Sequence, residues 1–517
     1  MTQSKKVYDY NKTHVKNKLV AALKKRRQES TVADLMSETG LPKYQVEDTI
    51  REVADEYQGH LRATESGEIL YYFPSGMRSR RRGFAAGTRR LLGRLARAAG
   101  KVLATLFKVW IVVMLVGYFV LFVALLVLSI VASVAASAAS RGRSARGGGI
   151  FSFYLAMRAF QLFAWIWLTS GTGSYRQRGY GKRGRRLHKS AFAYVFGEEG
   201  VNRGYEERER AHILRFIRGR RGVVTMDELK TMTGRDEEEA QMLVNRLLLE
   251  WEGEPQVTDQ GSLVFFFPSL LKSRTEEIQR AEQVPLMMHE KRRIIPFNNN
   301  PRRTNRWLTF FNGFNILFSS YFLYLGLTNP EPVFYVIRGV ERLKMDLAFV
   351  YHYVHGFLAS TGVESPERLV IIVLGIVPLA FSVFFYLIPW VRRRIQRREN
   401  ERIRQENLRK KLYFQVLGNA DGLDAESVRP AGDEETPKSW QQFVRKTLDR
   451  LAALRGGEVE QKGKERFVYR FPEIERELRD VEQYRAGIDL SRYQVGATVF
   501  DSGAEAPDAA GREAADE

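Results

Sequence analysis

The sequence predicts a mainly α-helical protein in which four transmembrane helices carry three small α+β domains. Two observations predict this: long apolar blocks without charge, and one helix-and-hairpin pattern that recurs three times. Val109 to Ser140 holds no charged residue over 32 positions, Trp307 to Pro330 none over 24, and Leu369 to Val391 none over 23. About 20 apolar residues span a bilayer as a helix. A wholly soluble protein is therefore excluded, although only 44% of the 517 residues are hydrophobic. There is no cysteine, which excludes disulfides, thiolate metal sites and a cysteine nucleophile. The stretch Met1 to Lys18 is polar and the first apolar block begins beyond residue 100, so no cleaved secretory signal is expected.

In chain order, residues 1–80 form a first small domain and 81–108 a basic juxtamembrane helix. A transmembrane hairpin occupies 109–170, with spans near 109–133 and 150–170. The second of these carries Arg158 but is rich in Phe and Trp, and Trp165 and Trp167 suit an interface. Its alternative reading is a helix lying among the headgroups. A basic connector, 174–204, leads to a second domain at 205–275 and a basic linker at 276–306. Spans at 307–328 and 369–391 enclose an external amphipathic segment, 331–366. Residues 392–485 hold a basic helix and a third domain, and the small, acidic tail 486–517 reads as disordered.

Lys and Arg number 81 against 60 Asp and Glu, a formal net charge of +21. A basic protein suggests nucleic acid, but this excess lies beside the apolar blocks. Residues 78–108 hold ten Lys/Arg and no acid, 174–189 hold seven, 291–306 six, and 392–404 seven against two Glu. Together these stretches exceed the charge of the whole chain, so the remainder is net acidic. Juxtamembrane Lys and Arg mark the cytoplasmic side and attract anionic headgroups. Headgroup contact and orientation are therefore assigned to Arg80, Arg81, Arg82, Arg89, Arg90, Arg183, Arg185, Arg186, Arg292, Arg293, Arg392, Arg393 and Arg394. Both termini and the long middle segment then lie inside, in a bacterial inner membrane or a related organelle membrane. Arg141, Arg143 and Arg146, between the first two spans, oppose the rule, and a re-entrant hairpin is the alternative there.

The recurring pattern is read from Gly59-HLRATESGEILYYFPSG, Gly253-EPQVTDQGSLVFFFPSL and Gly457-EVEQKGKERFVYRFPEI, where a Phe-Pro pair begins 14 residues after each glycine. Aromatic and aliphatic residues before that pair suit a strand, and Gly67, Gly261 or Gly463 a hairpin turn. Upstream, Val46, Ile50 and Val53 match Ala240, Val244 and Leu247, and Val444, Leu448 and Leu451. Steps of four then three residues put each trio on one helix face. Gly40 and Gly234 end an earlier helix, preceded by Leu35 and Leu229, and Leu19 and Leu23 match Ile213 and Ile217. This order of helix, helix, turn, helix and hairpin resembles a winged helix, over about 13–77, 206–272 and 406–475. The third copy departs: a loop rich in Asp, Glu and Pro, 422–438, replaces the second helix. Phe192-AYVFGEEG-Val201 is also similar to uncharacterised membrane proteins of cyanobacteria and plastids, a likeness that implies no activity.

Winged helices read DNA or contact proteins, and fold alone does not decide. A reading helix approaches phosphates and is neutral or basic at its tip. The first third-helix, Lys43 to Tyr57, has two bases against five acids, and the second, Asp236 to Glu252, one against six. Only the third is basic, with Lys438, Arg445, Lys446 and Arg450 against Asp449; nucleic-acid contact, if any, falls there. No nucleophile elbow, HExxH or P-loop is present. His352 and His355 form an i, i+3 pair without a third ligand nearby, so neither metal nor other cofactor is expected. Asn312 and Asn315 read as helix–helix glue and Pro378 as a kink. The expected function is non-enzymatic: cytoplasmic domains that bind partner proteins or self-associate at the membrane. A membrane-tethered DNA-binding regulator is the alternative, and small-molecule or ion transport a third.

Overall fold

The computed structural model describes residues 10–26, 29–73, 99–100, 102–139, 186–198, 200–273, 275–288, 290–337, 340–343, 346–428, 440–462, 466–493 and 495–502. The expected span at 150–170, with Arg158, and the loop arginines Arg141, Arg143 and Arg146 lie outside these residues, as does most of the juxtamembrane stretch 81–108. Contacts divide the chain into two units: residues 1–88, 202–294 and 400–517, and residues 89–201 and 295–399.

The second unit holds the apolar helices. Among the described residues three are long and apolar enough to cross a membrane, Val102–Ala132, Arg302–Thr328 and Pro366–Gly418, rather than the four expected. The last contributes its residues up to Glu399 to this unit. It runs antiparallel to the central helix Arg302–Thr328, since Gly313 lies beside Tyr386 and Gly326 beside Ile371. Small residues bring the two backbones together: a Cβ on Gly375 would sit 3.1 Å from the Leu323 Cα. Phenylalanines fill the other seam, with Phe119 at 4.8 Å from Phe311 and Phe314, and Phe122 stacked at 5.6 and 5.8 Å on Phe318 and Phe322.

Both asparagines act as the glue expected of them. Asn312 Nδ2 donates to the Ser382 carbonyl at 2.9 Å, and Asn315 Nδ2 to the Leu115 carbonyl at 2.7 Å. Leu115 belongs to a π-helical turn, Val113–Gly117, where the regular hydrogen-bond ladder is interrupted. A second π-helical turn, Val370–Ile376, precedes Pro378, whose missing N–H the altered ladder accommodates. The segment expected to be merely amphipathic, 331–366, is a hairpin of Phe334–Ile337 with Val340–Leu343, then a helix, Phe349–Ser360. Its buried Tyr351 donates to Asn329 Oδ1 at 2.8 Å. Within the connector 174–204, Leu187–Phe196 is a short helix whose Tyr194 ring stacks 5.4 Å from Phe385.

The first unit contains three helix-and-hairpin modules. The first comprises helices Lys12–Arg26, Val32–Thr39 and Lys43–Glu56 with hairpin strands His60–Thr64 and Ile69–Tyr72. The second comprises Tyr205–Gly219, Met226–Thr233 and Glu237–Trp251 with strands Glu254–Val257 and Leu263–Phe266. The third uses the end of Pro366–Gly418 from residue 400, then Leu423–Asp424, helix Trp440–Leu454 and strands Glu458–Lys462 and Arg466–Arg470. Each third helix buries its trio of Val46, Ile50 and Val53; Ala240, Val244 and Leu247; or Val444, Leu448 and Leu451. A short element pairs with each second hairpin strand: Ser30 with Tyr71, Val223–Val224 with Phe266 and Phe265, Leu423–Asp424 with Tyr469 and Val468. The first two modules share one core, where Leu19, Ile50 and Tyr71 join Ile213, Leu247 and Trp251.

The reading of 486–517 as disordered is corrected up to Ser502. Helix Pro472–Gly487 lays Val481 on Val223, Val264 and Phe266 of the second sheet, with Leu490 and Tyr493 packed beside it. Strand Thr498–Asp501 then pairs antiparallel with His60–Thr64 of the first module. Composition conceals this because the hydrogen bonds come from a strand edge far earlier in the chain. Residues 503–517 lie outside the described structure.

Gly40 and Gly234 end their helices at φ +70° and +69°, and a Cβ on Gly234 would stand 2.0 Å from the Glu406 carbonyl oxygen. Gly67 has φ +76° and nothing within 4 Å. Gly67→Ala should therefore cost about 1–2 kcal/mol, the left-handed penalty alone. Gly234→Ala should cost about 3–4 kcal/mol, because overpacking adds to that penalty. Thermal unfolding of the purified full chain reads the difference, and equal losses would contradict the close approach.

Candidate functional site: a basic collar and the module junctions

Seven of the thirteen arginines assigned to headgroups, Arg80, Arg81, Arg82, Arg89, Arg90, Arg183 and Arg185, lie outside the described residues. In the unit of apolar helices, Asn315 reaches Leu115, Trp110 meets Phe381 and Gly313 lies beside Tyr386. These contacts bring the start of the first span, the start of the central helix and the basic end of the last helix to one end of the bundle. Exposed there are Arg186, Arg302, Arg303, Arg306, Arg393 and Arg394. Arg393 lies over the Phe297 ring at 4.5 Å and Arg394 over Trp390 at 4.3 Å, a placement that suits amphipathic residues at a membrane surface.

Arg392 departs from its assignment, and Arg292 and Arg293 lie outside this unit. Arg392 turns inward and donates to the carbonyls of Tyr194, Val195 and Phe297 at 2.9, 3.1 and 2.8 Å. It thereby closes the helix Leu187–Phe196, whose last carbonyls have no partners within the helix. Arg292 belongs to the other unit and pairs with Glu406 at 3.1 Å. Arg293 lies there too, exchanging backbone hydrogen bonds with the Asn202 side chain at 2.8 and 2.9 Å.

In the modules, the turns that lead into the first two third-helices abut the next module, while Asp48, Arg51 and Glu52 of the one helix and Gln241, Met242 and Asn245 of the other stay exposed. Gly40, at the turn before the first reading helix, abuts the Glu207 carbonyl, and Gly234, its counterpart, abuts that of Glu406. Trp251 Nε1 donates to the Leu41 carbonyl at 3.0 Å. At the second junction Arg409 donates to the Gly234 carbonyl at 2.8 Å and Arg402 pairs with Glu239 at 2.7 Å. The helix acids counted as repulsive to DNA are largely paired: Asp48 with Lys12, Glu56 with Lys16, Glu237 with Lys230. Of the third-module candidates, Lys438 lies outside the described residues. Arg445 pairs with Glu426 at 3.5 Å and covers the Phe467 ring, whereas Lys446 and Arg450 are exposed.

Two carboxylates carry the junctions. Thr31 and Asp34 form a capping box, each side chain bonding the other's backbone N–H. The same Asp34 accepts from Arg218 at 2.7 Å and Ser273 at 2.6 Å, deep in the interior. Thr225 and Glu228 form the second box, and Glu228 accepts from Arg485 of the strap helix at 2.7 Å. Nearby, Lys230 sits with Asp227 at 3.4 Å and Glu237 at 2.7 Å. Burial acts to lower its pKa, but the two carboxylates outweigh burial and hold it above the usual lysine value. The Thr-x-x-Asp and Thr-x-x-Glu spacings were visible in sequence; their arginine partners were not.

Among the described residues no three His, Asp or Glu side chains stand together as a metal site would require. His355 approaches Glu367 at 3.9 Å, a contact made across the loop between helices that local spacing does not reveal.

No family model matches the chain, and no solved structure matches it. An uncharacterised chloroplastic protein of Arabidopsis thaliana is 26% identical over 278 residues, which is 53% of this chain and 52% of that protein. The chain thus spans about half the length of this curated relative.

Two outcomes follow. Arg485→Met leaves Glu228 buried without its partner and should destabilise the protein by about 3–5 kcal/mol; adding Glu228→Gln should recover part of the loss in thermal unfolding. Second, His212 is buried with no partner for Nε2. Burial pushes its pKa below the ordinary value, against the opposing backbone of Leu286 and Pro285. The folded state therefore binds this proton more weakly than the unfolded chain. Stability should be full above about pH 6.5, the unfolded value, and fall as pH drops below it. His212→Leu should flatten that fall.

Proposed function

We propose that this is a non-enzymatic membrane protein whose modules are winged-helix domains serving protein contact and assembly rather than DNA reading. The observation that carries this reading is the use of both reading-helix entrances, around Gly40 and Gly234, as junctions between modules. A duplex approaching the N-terminal turn of either helix would meet Glu207 and Trp251 or Arg402 and Arg409 there. The two apolar-helix ends that flank residues 140–185 support a four-span topology with both termini inside. The first span leaves the collar end, and Arg186 is back at that end beside the helix that Arg392 closes. The basic collar supports contact with anionic lipid on that side. The chloroplastic relative supports a plastid-type membrane, and a bacterial inner membrane is the related alternative.

Two measurements test this. The chain has no cysteine, so single cysteines report topology directly. In sealed vesicles, cysteines at the exposed positions 260 and 482 should react with an impermeant maleimide on one face, and one at 347 on the opposite face. Labelling of all three from one side would sink the topology. Full-length protein should hold duplex DNA without sequence preference, through its arginines, and Lys446→Glu with Arg450→Glu should not change selectivity. Sequence-selective binding that this double substitution abolishes would establish the tethered regulator instead.

A further inference from the structure

In all three modules the sheet is built in the same order: a short element, the second hairpin strand, then the first hairpin strand. The first hairpin strand is the edge of the sheet in the second and third modules. In the first module that edge, His60–Thr64, is occupied by the C-terminal strand Thr498–Asp501. It is held by main-chain pairing together with the side chains of Asp501 and Ser502. Ser502 N donates to the Leu61 carbonyl at 2.9 Å, Leu61 N to Ser502 Oγ at 2.8 Å, and Arg62 pairs with Asp501 at 2.6 Å. The apolar side chains of the strand find no cover: Val499 is 69% exposed and Phe500 61%. Leu61 and Ile69, on the same hairpin, are also exposed, at 38% and 42%.

We propose that this edge is a strand-addition site whose partner is the C-terminal strand of a second copy of the chain, exchanged reciprocally. The inference rests on the assembly reading above and names its partner. Three features favour this occupant. An open edge takes any extended segment through backbone pairing, and sequence sets which one. Here the matching segment is present in every copy, with Asp501 and Ser502 as its recognition residues. A four-residue strand that buries neither Val499 nor Phe500 gains little from staying in place, since strand pairs are stabilised by packed side chains. The free reach begins after Tyr493, which packs on the second sheet; the nine residues 494–502 extend to about 30 Å. Reciprocal exchange sets two such edges together about a two-fold axis.

The absence of cysteine makes the test direct. Ala63 and Phe500 are register partners. Full-length Ala63→Cys and Phe500→Cys chains, differently tagged and produced together in membranes, are oxidised mildly. The expected result is a disulfide-linked pair carrying both tags. Val257→Cys, on the corresponding strand of the second module, should give none with Phe500→Cys. Asp501→Lys, which reverses the charge that pairs with Arg62, should lower the yield at least fivefold; adding Arg62→Glu in the other chain should restore it. If the double variant Ala63→Cys/Phe500→Cys closes only within one chain and the paired singles give nothing, the exchange is refuted. A yield indifferent to the charge reversal refutes it equally, as mere collision. Neither failure touches the assembly reading, which the DNA titration judges.

Discussion

Asp34 and Glu228 are the constraint on which the modular unit depends. Each carboxylate ends a capping box, so it already answers the unpaired N–H groups at the start of its own helix. Each also receives an arginine from elsewhere in the unit, Arg218 in one case and Arg485 in the other. A buried ion pair contributes little net stability, but removing one partner strands a charge in the interior. These pairs therefore act less as glue than as a rule about placement. The first module must meet the helix that carries Arg218, and the second must meet the strap that carries Arg485.

The glycines enforce the same placement from the other side. At Gly40 and Gly234 the left-handed turn that ends each second helix is also where the next module's first helix comes closest. One residue type thus meets two demands, a backbone conformation and a steric one. In the membrane unit a different economy holds. Lipid tails give helices no hydrophobic reason to associate, so the central helix uses amide side chains and glycine. Asn312 and Asn315 each grip a carbonyl of a different neighbour, and Gly326 and Gly375 let the last helix close in.

Much of this was legible. The charge-free blocks located three helices, the four-then-three spacing picked out Val46, Ile50 and Val53 and their counterparts as core, and Asn312 and Asn315 read correctly as helix contacts. The site was less legible. Arg392, Arg393 and Arg394 are consecutive and identical in type, yet only the first donates to the backbone carbonyls at a helix end, although it shares the Phe297 ring with Arg393. Helical geometry turns neighbours about 100° apart, and only the position of Leu187–Phe196 decides which arginine finds the unpaired carbonyls. The partner of Arg292 was hidden for a similar reason: Glu406 lies more than a hundred residues away.

The sequence by itself determined the local elements, because periodicity, turn glycines and capping boxes act within a few residues. It also determined which helices are long and apolar enough to cross a membrane, since hydrophobicity over 20 or so residues is a property of one segment. What the modules do with their surfaces was decided by tertiary structure alone. Acids that look repulsive along one helix are neutralised by lysines and arginines of others, as Glu239 is by Arg402. The tail that looks too small and polar to fold finds hydrogen bonds on a strand edge near the other end of the chain. In each case the deciding partner is distant in sequence, and charge and hydrogen bonding are satisfied by whatever is near in space.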